Sequence, residues 1–140
     1  MKKISVLSTI IILAFLVTGL NSCKKDNETL LTDGVWNFEN ITTDSVDESI
    51  QTIVAGFKAA YTDATLQFFS DGTYAIEYPL IDDETGTWEL AGSSKLVFTP
   101  DGGGLKSAVI EDISGKELVY LETFIDTNSN PFNTTTTWVK

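Results

Sequence analysis

The chain has 140 residues, with nine basic residues against 20 acidic ones, no histidine and a net charge of −11. That length suits one domain, and the charge excludes nucleic acid as a partner, because phosphate binding draws on basic side chains and the counterions they displace. Without histidine the chain lacks the commonest zinc ligand and an ordinary Ser-His-Asp triad.

Lys2 and Lys3 precede an apolar run from Ile4 to Leu20. A basic start followed by such a run reads as a secretory signal peptide. As a membrane span it stands at the short edge of the roughly 20 apolar residues required. Leu20-Asn21-Ser22-Cys23 follows, with a branched apolar residue three before the cysteine and a small residue just before it. This resembles the lipobox of bacterial lipoproteins. The resemblance implies that the Cys23 thiol takes a diacylglycerol, that the peptide is cut before it, and that the new amine is acylated with a chain such as palmitate. Several acyl chains anchor firmly where a single chain binds only marginally. The expected partner is therefore membrane lipid, through acylated Cys23. A single cysteine forms no disulfide within the chain, and lipidation gives it a reason to be there.

Lys24-Lys25-Asp26-Asn27-Glu28 is polar and reads as a tether. By the same resemblance, lysine in place of aspartate after the cysteine implies passage to the outer membrane. The Lys-Asp-x-Glu order is similar to the surface-export signal of Bacteroidetes lipoproteins, so both the periplasmic and the cell-surface side stay open. The expected plan is a signal peptide over 1–22, a lipidated tether over 23–30 and a folded domain over 31–140. Loss of Lys2 and Lys3 with the leader leaves seven basic residues against 20 acidic ones, or −13. Such a charge keeps a tethered domain soluble.

In the domain, Gly34 to Phe38 predicts a first strand, with Trp36 and Phe38 on one face. Thr42 to Asp47 reads as a turn. One helix is predicted from Val46 to Tyr61, with Ser45 as N-cap and Glu48 as its capping-box partner. Ile50, Ile53, Val54, Phe57 and Tyr61 fall on one face of it. Further strands are predicted over 65–69, 73–78, 87–90, 95–99, 106–113, 116–126 and 133–140. Asp71-Gly72 between alternating runs is a strong hairpin signal. The fold class is all-β: eight antiparallel strands with one helix between the first two. So many strands must curl strongly or close into a barrel.

Leu31-x-x-Gly34-x-Trp36, Phe69-x-Asp71-Gly72-Thr73-Tyr74, Gly86-x-Trp88-x-Leu90 and Lys95-Leu96-x-Phe98 resemble the lipocalin-like domains of secreted Bacteroidetes lipoproteins. The resemblance covers most of residues 30–140. It implies an up-and-down barrel, a structural role for Trp36 across the closed end, and a small apolar ligand. The chain departs from the better-characterised lipocalins in the place of its helix and in having no arginine.

Trp36, Phe38, Phe68, Tyr74, Ile76, Trp88, Phe98, Tyr120, Glu122 and Phe124 are the candidates for a ligand cavity or, equally, for a filled core. An eight-stranded barrel stands at the size where either holds. Glu122 shares a face with Tyr120 and Phe124 and is the best candidate for a buried acid, whereas Glu77 falls on the solvent side. Asp82-Asp83-Glu84 near Asp101 lacks the regular oxygen spacing of a calcium loop and reads as a solvated turn. Asp44-Ser45-Val46 resembles a Bacteroidetes O-glycosylation motif, with capping as the other account of Ser45. No catalytic residue, metal or cofactor is expected. The two functions in contention are a tethered binder of a small apolar ligand and a structural or protein-interaction lipoprotein of the envelope with a filled barrel.

Overall fold

The computed structural model describes residues 26–140. The signal peptide and Cys23 lie outside the described residues. Among those described, no helix is long and apolar enough to cross a membrane.

A short helix, α1, spans 26–32. Then follow β1 (Val35–Thr43), α2 (Glu48–Tyr61), β2 (Thr65–Phe68), β3 (Thr73–Glu77), β4 (Glu84–Ala91), β5 (Lys95–Pro100), β6 (Lys106–Ile113), β7 (Glu117–Ile125) and β8 (Pro131–Val139). Each strand pairs antiparallel with the next, and β1 pairs with β8, so the barrel is closed. Closure leaves no sheet edge to pair with another chain. The eight strands agree with the expected architecture, and their ends differ from the expected ones by a few residues. The largest difference is β1, which runs five residues past Phe38. A bulge between Phe38 and Asn40 keeps its far end in register with β8; a bulge bends a strand and adds twist.

Alternation sets the faces. Trp36, Leu66, Phe68, Tyr74, Ile76, Leu90, Leu96, Phe98, Leu118, Tyr120 and Trp138 are all buried within one core. Their rings meet edge to face or tilted, as in Phe68–Trp88 at 5.1 Å and Tyr74–Phe98 at 5.1 Å between centroids. Such contacts add to the gain from burial alone.

The barrel has two unlike ends. At one, α1 caps the interior. Its Leu31 is fully buried, and the Trp36 indole N–H donates to the Leu31 carbonyl at 3.0 Å. Asn27 Nδ2 ties α1 to the β4–β5 turn through the Ser93 carbonyl at 2.7 Å. Lys140 Nζ donates to the Leu30 carbonyl at 3.2 Å and stands 4.3 Å from the centre of the Trp36 ring. Lys140 thus sets a cation over this tryptophan in a chain with no arginine. Here the structure corrects two expectations. Residues 26–30, assigned to a loose tether, are helical, and the fold has two helices instead of one. A helix this short is unstable alone and shows no periodicity; burial of Leu31 holds it.

At the other end α2 lies beside the barrel mouth. Ile50 and Val54 bury against Ile41 and Phe132, with Phe38, Ile53, Phe57 and Phe124 around them. The helix starts two residues later than expected, and Asp47, not Ser45, is its N-cap: Asp47 Oδ1 accepts from the Ser49 amide at 2.8 Å. Ser45 Oγ instead accepts from the Asp47 amide at 3.2 Å, in a local turn before the helix. An aspartate nearer the helix places its charge closer to the free N–H groups.

Gly86 is needed for space, not for backbone freedom. A Cβ there would stand 2.3 Å from the Thr99 carbonyl oxygen and 2.8 Å from Pro100 Cα. Both are backbone atoms of the paired strand β5, so relief requires moving the strand. Gly86→Ala is expected to cost about 1–3 kcal/mol or more, in the range of overpacked cores. A urea unfolding midpoint equal to that of the unaltered chain would contradict this.

Candidate functional site at the open end

All ten residues expected to line a cavity or core come from strands whose alternation turns them inward, and the interior is largely filled by them. Trp36, Phe68, Tyr74, Ile76, Phe98 and Tyr120 are buried; Phe38, Trp88, Glu122 and Phe124 are partly buried. Trp88 donates its indole N–H to the Phe69 carbonyl at 3.1 Å. Trp36 closes the α1 end, and Trp138 stands between it and the open end. What stays open inside is a chamber of about 40 Å³, lined by Tyr61, Ile76, Tyr78, Glu84, Phe98, Lys106, Tyr120, Glu122, Phe124 and Trp138. Pockets for small organic ligands measure about 300–1,000 Å³. A water occupies about 30 Å³ of liquid. The chamber therefore takes one small group, not an apolar molecule.

The chamber lies at the α2 end, where topology gathers the β3–β4, β5–β6 and β7–β8 loops. Outside it is an open recess of about 480 Å³, lined by Tyr61, Tyr78, Glu84 and Lys106 again, and by Asp82, Asp83 and Asp101. A larger hollow, about 630 Å³, is an open trough outside the opposite end along Trp88, Glu89 and Gly92. The enclosed polar side chains are gathered at the α2 end, which makes that end the candidate.

Glu84 and Lys106 form an ion pair between chamber and recess. Tyr74 donates its hydroxyl to the other Glu84 oxygen at 2.8 Å. Asp83 accepts the Tyr78 amide at 2.9 Å, and Asp101 accepts the Thr85 hydroxyl at 2.7 Å. These bonds hold the acidic turn as structure. No group of three or more His, Cys, Asp or Glu side chains is placed to hold a metal among the described residues.

Glu122 sits deeper, opposite Ala108 on β6 and Thr134 on β8. Glu122 is half-buried. Burial raises its pKa to about 7; Lys106 opposes the rise and Glu84 adds to it. No hydrogen bond or ion pair to this carboxyl is formed by the described residues. Nearby on β8, the buried hydroxyls of Thr134 and Thr136 also lack partners, and Thr136 stands opposite Tyr120. Tyr120 accepts the Trp138 indole N–H at 3.1 Å. Burial raises the pKa of the Tyr61, Tyr78 and Tyr120 hydroxyls, which therefore stay protonated at neutral pH. Glu77, by contrast, is exposed, on the outer face of β3.

Sequence reasoning reached Glu122 by strand phase but missed Glu84, Lys106, Tyr61 and Tyr78 as its companions. Glu84 had been placed in a solvated turn, whereas it is the first residue of β4 and half-buried. Tyr61 was assigned to the apolar stripe of the helix. What brings these four together is barrel closure, which no local pattern encodes.

A closed eight-stranded up-and-down barrel is the architecture of the lipocalins. The chain belongs to the lipocalin-like domain family, whose pattern it matches over residues 32–120. No curated protein matches it.

Proposed function

We propose that the chain is a lipoprotein of the bacterial outer membrane, anchored through acylated Cys23, whose lipocalin-like barrel binds at its open end and not in its interior. One observation carries this. The barrel is filled by its own aromatic side chains down to about 40 Å³, while the polar mouth opens on a recess of about 480 Å³. An apolar ligand held deep in the barrel has no room and would strip water from Glu122. The separation of the two ends supports the orientation. Helix α1 follows Cys23 by three residues in sequence and caps the closed end, so an anchor there leaves the mouth facing away from the membrane.

The test has two arms. Growth of the host with radiolabelled palmitate should label the protein, and Cys23→Ala should lose the label; an unlabelled native chain removes the anchor. Native mass spectrometry of the full lipoprotein from its host should then find a small co-purifying molecule. Its presence should slow amide hydrogen exchange at 61, 76–84 and 101–106. Protection at the α1 end alone would contradict an open-end site.

A second reading, a protein-interaction lipoprotein, is favoured by one further observation. Val46, Leu80, Leu105 and Ile125 are the most exposed large apolar residues, at 71–91 %. All four stand in or beside the loops of the open end. A partner seated there would cover them.

A further inference from the structure

We propose, on the open-end reading above, that the mouth recognises a small primary ammonium ion. The ammonium head would enter the chamber beside Glu122, and its carbon chain would lie in the outer recess along Tyr61 and Tyr78.

Four observations converge on this chemistry. The first is size: a chamber of about 40 Å³ suits a small head group and not a whole organic ligand, whose usual pocket measures about 300–1,000 Å³. The second is the unpartnered acid. Glu122 lines the chamber, is half-buried, and accepts no hydrogen bond or ion pair from the described residues, the nearby ammonium of Lys106 being held by Glu84. A carboxylate in that position can take an N–H donor from a ligand.

The third is the supply of acceptors. A primary ammonium brings three N–H donors and no acceptor. Beside Glu122 the chamber offers the oxygens of Tyr61, Tyr78 and Tyr120. A quaternary ammonium has no N–H to donate and would leave these oxygens unmet.

The fourth is the field at the entrance. Asp82, Asp83, Glu84 and Asp101 surround the recess against one lysine, Lys106. Such a mouth draws in cations and repels carboxylates and phosphates. Tyr61 and Tyr78, packed on each other with ring centroids 5.1 Å apart, line both chamber and recess and give the chain an aromatic wall to lie along. A bare metal ion is less well served, because the described residues hold no group of three or more His, Cys, Asp or Glu side chains placed to bind one.

Glu122 must be charged to pair with the ammonium, so affinity should rise with pH up to about 7 and level off above. The groups facing it are Tyr61 of α2, Tyr78 after β3, Glu84 of β4, Lys106 of β6 and Tyr120 of its own strand. Of these the tyrosines remain neutral over that interval.

The experiment is calorimetric titration of the full lipoprotein in detergent with n-butylammonium, butyltrimethylammonium, butyrate and 1-butanol. Saturable one-to-one binding of n-butylammonium alone is expected, about tenfold tighter at pH 8 than at pH 6 and at least tenfold weaker in Glu122→Gln. That substitution keeps the shape of the side chain, and its thermal unfolding confirms that the fold is intact. Equal binding of 1-butanol or butyrate, unchanged affinity in Glu122→Gln, or no binding of n-butylammonium would overturn the proposal. If the host's co-purifying molecule is not an amine but still protects the mouth from exchange, only the ammonium assignment falls. If nothing protects the mouth, the open-end reading falls with it.

Discussion

Trp36→Ala is expected to cost about 3–5 kcal/mol of folding stability, the range for large aromatic truncations in a core. A domain of this size has about 5–15 kcal/mol in all, so the loss would be a large share of the total. Three effects combine. The ring is fully buried, so its removal opens a void at the closed end. The Leu31 carbonyl loses the indole donor that meets it at 3.0 Å. Lys140 loses the ring beneath its ammonium. Helix α1 rests on the same contacts, so it should fray as well. Urea unfolding measures the first effect, and amide exchange over residues 26–32 measures the second. Trp36→Phe, which keeps most of the apolar volume and removes the indole donor, should cost clearly less. If Trp36→Ala lowered stability by under 1 kcal/mol, the closed end would not be what holds the barrel shut.

Glu122→Gln is expected to stabilise the barrel at pH 8 by about 2–3 kcal/mol, from a shift of the carboxyl between an ordinary unfolded value and about 7 in the fold. The direction follows from proton uptake. The folded state holds this proton more tightly than the unfolded state, so its stabilising effect is complete below the ordinary carboxylate pKa. It is lost as pH rises to about 7. Above that, the fold carries a buried charge. Glutamine carries none, so its unfolding free energy should stay nearly level from pH 5 to pH 8, where that of the native chain falls. Asp47, Asp71 and Asp126 have lowered pKa values because neighbouring hydroxyl and backbone donors favour their charged forms. Their contributions change at lower pH and leave this interval clear. Parallel profiles for the two proteins would mean that Glu122 is solvated and the chamber is not dry. Stability gained and ammonium lost on the same substitution is the mark of a binding group held at a cost to the fold.

The site was only half legible in the sequence. Strand phase alone turned Glu122 toward Tyr120 and Phe124, because side chains alternate at every residue of a strand. The same rule turned Glu77 outward. It could not place Glu84, since the strand was expected to start at Thr87 and three more residues belong to it. Nor could it show that Lys106 meets Glu84 from two strands away.

Alternation of Trp36, Tyr74, Ile76, Leu96 and Phe98 with polar neighbours and the hairpin turns were enough to set eight antiparallel strands, because these are local patterns. They left open whether the interior would be solid or hollow. That is a question of volume: the summed bulk of rings from every strand against the girth of the closed barrel. Only packing decides it, and here the rings leave a space of about 40 Å³. Closure also decided the company that Glu122 keeps, since Tyr61 on α2, Glu84 on β4 and Lys106 on β6 are distant along the chain and become neighbours when β1 pairs with β8.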